Sequence, residues 1–157
     1  MKKFWTFIFA MIVSFIPGVI GVTFTPHGGA NMWYNALAKS VLTPAPWVFS
    51  VAWTILYILL GIALYLIISN KKTRVDKSNA YWLFAGQMGL NALWSYMFFG
   101  AHMVALSLLV LVMLLIVSIY MERVFRPISR GAAYLVWPYI IWLCFATYLN
   151  ATMMILN

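Results

Sequence analysis

The chain has 157 residues, of which 66% are hydrophobic and only 8% are charged. Soluble domains carry about 25% charged residues, so this composition excludes an ordinary water-soluble protein and predicts an integral membrane protein that is solvated by the lipid bilayer. The formal net charge is +8, but the basic residues flank apolar runs, as membrane orientation signals do. This placement argues against a nucleic-acid partner.

Five apolar runs are candidates for membrane-spanning helices, each of which needs roughly 20 mostly apolar residues. The predicted helices cover residues 4–24, 47–69, 80–99, 103–122 and 131–153. Lys2 and Lys3 before the first run also suit a secretory signal, but a signal core has only about 7–15 apolar residues, so we expect a retained helix. The predicted fold is an all-α membrane bundle of five transmembrane helices with a long first loop, in one domain over residues 1–157.

The stretch "FFGAH" separates the third predicted helix from the fourth. Gly100 is predicted to make the turn there, because glycine adopts backbone conformations that are closed to other residues. With five helices, every basic residue except Lys39 falls on the side of the N-terminus. The positive-inside rule then predicts a cytoplasmic N-terminus and an outside C-terminus, and it favours the bacterial inner membrane.

The first loop is unusually aromatic for a connection between apolar segments. Residues 33–40 are predicted to form a short amphipathic helix at the membrane surface, and Pro44 and Pro46 restrict the turn into the second helix. These residues suit either an interfacial aromatic belt or a lid over a binding site. The candidates for the lid are Trp33, Tyr34, Lys39 and Pro44.

Aromatic and amide side chains also concentrate inside the bundle, beneath that loop. They are Trp53, Tyr57, Gln87, Asn91, Trp94, Trp142 and Asn150. Gln87, Asn91 and Trp94 share one face of the third predicted helix, since they are four and three residues apart. A buried amide pair serves either interhelical hydrogen bonding or a small-molecule pocket, and the sequence leaves both uses open.

The residues needed for conventional catalysis do not meet at this pocket. The two carboxylates, Asp76 and Glu122, lie on the predicted cytoplasmic rim, so no acid–base pair and no catalytic triad is predicted. Cys144 is the one cysteine, and with two histidines it makes no plausible zinc site. We therefore predict no metal, no obligatory cofactor and no hydrolase, metalloenzyme or proton-coupled pump.

Four ordered motifs resemble the translocator protein family, also called TspO or tryptophan-rich sensory proteins. They are "WYNALAK", "PWVFSVAWTILY", "LNALWSYMFFG" and "PYIIWLCFATYLN". The resemblance implies a five-helix homodimer that binds porphyrins, with protoporphyrin IX or a haem-like tetrapyrrole as the expected ligand. It assigns the family's functional positions to Trp53, Asn91 and Trp142, with Ala146 alongside, and it connects the two tryptophans with light-dependent porphyrin breakdown.

The chain departs from the family pattern at two places. After Lys39 the loop lacks a proline, an aromatic residue and a second proline that the family usually carries. The resemblance therefore leaves open whether this stretch, which includes Pro44, covers the pocket as it does in the family. No basic residue follows Tyr148, so sterol binding is not predicted either.

Three functional hypotheses follow from this pattern. The first is a receptor or carrier for porphyrins, acting in their transport, sensing or scavenging, with Trp53 and Trp142 stacking on the ring and Asn91 donating a hydrogen bond. The second is slow photo-oxidative breakdown of the same ligand at the two tryptophans. The third is a ligand-responsive regulatory subunit. Small residues in "AGQMG" on the third predicted helix suit the homodimer contact.

Overall fold

The computed structural model describes residues 2–24, 32–71 and 73–157. Its helices are α1 (Lys2–Phe24), α2 (Met32–Ala36), α3 (Pro46–Ser69), α4 (Ser78–Ser95), α5 (Val104–Ile128) and α6 (Arg130–Leu156). A π-helical segment, Tyr96–Gly100, continues α4 without a break. No strand occurs in the described ranges, so the predicted all-α class is confirmed. Residues 25–31 of the predicted first loop lie outside the described residues.

Four helices, α1, α3, α5 and α6, are long and apolar enough to cross a membrane. This agrees with the predicted integral membrane class. The helix α4 is less apolar, because its length includes the polar residues Asn79, Gln87 and Asn91. Two of these, Gln87 and Asn91, are fully buried in the bundle and do not face lipid. The fifth predicted span is therefore not confirmed by hydropathy.

The five long helices form a closed ring. The helix α1 packs against α3 and α4, α4 packs against α5, and α6 packs against both α5 and α3. Close approach of α1 to α3 depends on a small residue, since a Cβ atom at Gly18 would lie 2.7 Å from the Tyr57 ring. The interior of this ring is where the predicted pocket residues meet.

The end of α5 differs from its predicted position. It was predicted to end at residue 122, where charged residues begin, but the helix continues to Ile128. Charge alone does not end a helix, and Arg126 forms an ion pair with Glu122 one turn earlier, which stabilises the added turn. Ser129 ends it with an extended backbone and caps α6 by accepting a hydrogen bond from Ala132 N at 3.3 Å.

The turn between α4 and α5 also differs from the prediction. His102, rather than Gly100, has the positive φ, at 57°. Histidine is among the residues that tolerate this region better than most non-glycine residues. Gly100 lies in the π-helical segment, where a Cβ atom would approach the Tyr96 and Phe24 rings at 3.0 and 3.1 Å. Its role there is to permit close packing.

Candidate functional site

Trp53 lies at the centre of an aromatic cluster formed by α3, α4 and α6. Its ring centroid is 5.6 Å from Tyr57, 5.8 Å from Trp94, 6.2 Å from Tyr139 and 6.4 Å from Trp142. We call these five residues the Trp53 cluster. The predicted pocket tryptophans therefore come together from three helices. Tyr139 was not among the predicted site residues, although its spacing of three from Trp142 places both on one face of α6.

The amide of Asn91 occupies the polar centre of this cluster. Its Oδ1 accepts a hydrogen bond from the Tyr57 hydroxyl at 3.2 Å, and its Nδ2 donates to the Tyr139 hydroxyl at 2.8 Å. All three side chains are buried. Hydrogen bonds of this kind link α3, α4 and α6, so Asn91 has a structural role whatever else it binds.

Gln87 lies one turn from Asn91 on the same face of α4 and is fully buried. Neither its Nε2 nor its Oε1 has a hydrogen-bond partner among the described residues. Leaving a buried amide without partners costs about 1–3 kcal/mol, so such groups usually meet water or a ligand. Gln87 is thus a polar group in the bundle interior with spare hydrogen-bonding capacity.

Trp142 connects the Trp53 cluster with a lateral groove between α3 and α6. A cavity of about 360 Å³ lies there, lined by Ala52, Ile55, Leu56, Pro138, Ile141, Trp142 and Phe145. The Trp142 indole Nε1 is buried and has no hydrogen-bond partner among the described residues. Ala146, one turn further along α6, is buried as well. The sequence missed the aliphatic walls of this groove, because isolated aliphatic residues in an apolar helix carry no distinguishing pattern.

Trp94 belongs to a second hydrogen-bonded group. Its Nε1 donates to Asn150 Oδ1 at 3.2 Å, and the same oxygen accepts from Ser107 Oγ at 3.0 Å. Asn150 Nδ2 in turn donates to the Val104 carbonyl at 3.0 Å. The indole N–H of Trp94 is therefore already engaged, and its ring remains available as a wall beside Trp53.

The predicted lid residues pack against the end of α4. The Trp33 ring stacks on His102 at 4.1 Å and 14°, and it meets Phe98 edge-on at 5.5 Å. Phe98 stacks on Trp94 at 5.9 Å, which belongs to the Trp53 cluster. A continuous path of rings therefore joins the surface loop to the cluster. The predicted amphipathic helix is shorter than expected, since α2 ends at Ala36.

The remaining lid candidates have local roles. Tyr34 contacts Phe98 and Phe99 at 6.2 and 6.0 Å, and Lys39 Nζ lies 4.7 Å above the Tyr34 ring. Burial raises the pKa of the Tyr34 hydroxyl above its ordinary value. Pro44 is half-buried in the turn that leads into α3.

The second half of the loop is fastened to the end of α6. Asn157 Oδ1 accepts from Ala38 N at 2.9 Å, and Asn157 Nδ2 donates to the Ala38 carbonyl at 3.1 Å. The Ser40 and Tyr148 hydroxyl oxygens are 2.9 Å apart. The sequence did not predict this attachment, because a single asparagine far along the chain gives no periodic signal.

Formal charge is absent from the Trp53 cluster and the lateral groove, and Glu122 near the other end of the bundle is paired with Arg126. Among the described residues, no three His, Cys, Asp or Glu side chains come together in a way that would hold a metal ion. The arrangement is suited to a flat, apolar ligand held by aromatic rings and a few amide or indole donors.

Residues 5–156 match the model of the TspO/MBR family. The chain is 36% identical over 140 residues to the tryptophan-rich protein TspO of Chlorobaculum tepidum, covering 89% of this chain and 88% of that protein. It is 36% identical to the protein of the same name from Archaeoglobus fulgidus, covering 89% of each. It is 32% identical over 125 residues to the translocator protein of Homo sapiens, covering 79% and 74%.

Proposed function

Because the chain belongs to the TspO/MBR family, we propose that it is a membrane protein whose Trp53 cluster binds porphyrins and similar flat aromatic ligands. The proposed ligand is protoporphyrin IX or a haem-like tetrapyrrole, and the proposed roles are its transport, sensing or scavenging. The observation that carries the proposal is a set of aromatic walls together with buried polar atoms that have no hydrogen-bond partner among the described residues, namely Gln87 Nε2 and Oε1 and Trp142 Nε1. Such atoms recover their hydrogen bonds when a ligand with polar edges enters.

Trp53 and Trp142 would supply the main ring contacts, and Asn91 would present its amide edge between them. An aromatic pair adds about 0.5–1.5 kcal/mol beyond the burial of its area. Two such pairs, together with an apolar fit, support micromolar affinity. Entry along the lateral groove is favoured because Trp142 lines both the groove and the cluster.

The test is a titration with protoporphyrin IX in the dark, in which binding is measured from the shift of the porphyrin absorption band. Trp53→Phe combined with Trp142→Phe is expected to weaken binding about tenfold, because each smaller ring loses stacking area. The matched control is Trp5→Phe combined with Trp137→Phe, two tryptophans exposed on the outer surface. Equal affinity of the two double variants would place the ligand in detergent or at another site.

A second candidate function is light-dependent porphyrin breakdown, which rests on the 6.4 Å separation of the Trp53 and Trp142 rings. A porphyrin excited by light would accept an electron from an adjacent indole and return it later, and dioxygen would add across one methine bridge, so that one carbon–carbon double bond is broken and two carbonyl groups are formed. No acid–base residue is required. Illumination of the complex in air is expected to produce a new long-wavelength absorption band that is absent in the tryptophan double variant. No such band in the wild type would exclude this reaction.

We also propose a homodimer through α4. Gly86 and Gly89 face open space, since a Cβ atom at either position would meet no heavy atom within 4 Å. Such a surface allows a second helix to approach closely. Gly89→Leu is expected to convert the dimer to a monomer in light-scattering measurements, whereas Ala105→Leu on the exposed face of α5 should not. A monomeric wild type would contradict the proposal.

The proposed topology has α4 and its π-helical extension as the fifth span, a cytoplasmic N-terminus, an outside C-terminus and the inner membrane as location. It is supported by the basic residues at the end where α5 meets α6, namely Arg123, Arg126 and Arg130. A periplasm-dependent phosphatase fused after residue 157 is expected to be active. Phosphatase activity only in a fusion within residues 73–77 would show that the orientation is the opposite one.

A further inference from the structure

A second cavity, of about 470 Å³, lies where α5 meets α6, far from the Trp53 cluster. It is lined by Arg123, Arg126, Pro127, Arg130, Ala133 and Tyr134. Arg130 and Trp142 are separated by about 18 Å along α6, at 1.5 Å per residue. We call this cavity the arginine pocket. The arginine pocket is distinct from the Trp53 cluster, because it is positively charged whereas the cluster carries no formal charge.

The three arginines converge because of the junction described above. The helix α5 runs on to Ile128, and only Ser129 separates it from α6, so the last turn of one helix faces the first turn of the other. Arg123 and Arg126 are three residues apart on α5 and project to the same side. Arg130 begins α6, whose positive dipole end adds to the local potential.

The charge of this pocket is only partly neutralised. Glu122 is the carboxylate beside it, is almost completely buried, and forms an ion pair with Arg126. Arg123 and Arg130 have no ion-pair partner within the part of the chain that the structure describes. Two guanidinium groups are therefore left to bind an anion. No carboxylate is among the described residues that line the pocket, so the pocket offers no partner to a positively charged headgroup such as choline.

The chemistry and the surroundings favour a phospholipid phosphate. The planar guanidinium group of arginine binds phosphate with two parallel hydrogen bonds, whereas the ammonium group of lysine acts as a single point charge. The Tyr134 side chain in the pocket begins a stripe of exposed apolar residues on α6, continued by Trp137 and Ile141. These residues are three and four apart and so lie on one exposed face of α6. The stripe runs along the helix from the pocket towards the mid-length of the bundle. A soluble phosphate compound would not use this stripe, whereas acyl chains would.

We propose that the arginine pocket binds the phosphate of an anionic membrane phospholipid, whose acyl chains lie along Tyr134, Trp137 and Ile141. Arg126, fixed by Glu122, positions the pocket wall, while Arg123 and Arg130 hold the anion. Basic pockets between transmembrane helices are a recognised kind of site for acidic lipid headgroups.

The experiment compares phosphatidylglycerol with phosphatidylcholine of the same acyl chains, added to the purified full-length protein in detergent. Retained lipid is counted by native mass spectrometry, and the unfolding temperature is measured in parallel. The wild type is expected to retain phosphatidylglycerol roughly 10- to 30-fold more strongly, given about fivefold for each arginine near the anion. Arg123→Gln with Arg130→Gln should abolish this preference.

Lys71→Gln with Arg74→Gln is the matched control, because it removes the same charge from an exposed connection at the same end. It should leave the preference intact, and an equal loss there would show a diffuse surface effect and overturn the pocket. Arg123→Lys with Arg130→Lys should retain a reduced preference. If the glutamine pair does not fold, the wild-type comparison decides, since equal retention of the two lipids by the wild type overturns the proposal. Equal stabilisation by inorganic phosphate would overturn the lipid assignment.

Discussion

Asn91 and Gln87 lie one helical turn apart on the same face of α4, and both side chains are fully buried. The two layers of the bundle, one at the height of each amide, differ in the hydrogen-bond partners that they supply. In the first layer, Tyr57 and Tyr139 direct their hydroxyl groups at the amide of Asn91 from α3 and α6. In the second layer, the amide of Gln87 meets no partner among the described residues. A helical pattern cannot distinguish these two residues, yet their roles differ. Asn91 holds α3, α4 and α6 together, whereas the amide of Gln87 can still form hydrogen bonds with a ligand.

The largest effect is expected from Asn91→Ala. It removes two hydrogen bonds and leaves two buried tyrosine hydroxyls unpaired, so the free energy of unfolding should fall by about 2 kcal/mol. Unfolding by added sodium dodecyl sulfate in mixed micelles measures this change. The control is the triple variant Tyr57→Phe, Asn91→Leu, Tyr139→Phe, which removes both sides of each bond and should recover much of the loss. A triple variant as unstable as the single one would mean that packing, not pairing, accounts for the effect.

Gln87→Met is expected to have a smaller effect of opposite sign. Replacing an unpaired buried amide by an apolar side chain of similar length should raise the free energy of unfolding by up to about 1 kcal/mol. The same variant should bind protoporphyrin IX about fivefold more weakly, because one polar contact is lost. Both changes are measured with the assays already described. A loss of stability equal to that of Asn91→Ala would contradict the difference between the two layers.

The smallest effect is expected from Asn157→Ala, which removes the two hydrogen bonds between the loop and Asn157 and leaves the Ser40–Tyr148 contact and both amide layers intact. Since the two hydrogen bonds to Ala38 are exposed, stability should fall by about 0.5 kcal/mol or less. The weaker attachment of the loop should speed porphyrin dissociation about two- to threefold, measured by transfer to an excess of apomyoglobin. Asn79→Ala, an exposed asparagine at the other end of the bundle, is the control. An unchanged dissociation rate would show that the loop does not cover the exit path.

The sequence predicted the four long apolar helices α1, α3, α5 and α6, because continuous apolar runs of membrane length have few other interpretations. It also placed Gln87, Asn91 and Trp94 on one face, since a spacing of four and three fixes that directly. It could not separate Asn91 from Gln87, because the partner hydroxyls come from α3 and α6, and the rotation of those helices depends on the packing of the whole ring.

Other features were out of reach for different physical reasons. The sequence misplaces the end of α5, because the charged residues from Glu122 onwards suggest a boundary, whereas the helix continues until Ser129 adopts an extended conformation. The turn at His102 follows from the π-helical geometry before it, which changes the register by one residue. The hydrogen bonds between Ala38 and Asn157 join residues far apart in the chain. The convergence of three arginines depends on how α6 follows α5. Both features appear only when the helices are assembled.

The path of rings from Trp33 through Phe98 and Trp94 to Trp53, with His102 stacked on Trp33, has a practical consequence for spectroscopy. Neighbouring rings along the path have centroids between 5.5 and 5.9 Å apart, and His102 lies 4.1 Å from Trp33, distances at which the electronic transitions of aromatic chromophores couple. Near-ultraviolet circular dichroism is sensitive to such fixed packing. The protein therefore carries an intrinsic optical reporter of whether its surface loop is seated, one that needs no attached dye and responds at the far end of the loop from Asn157.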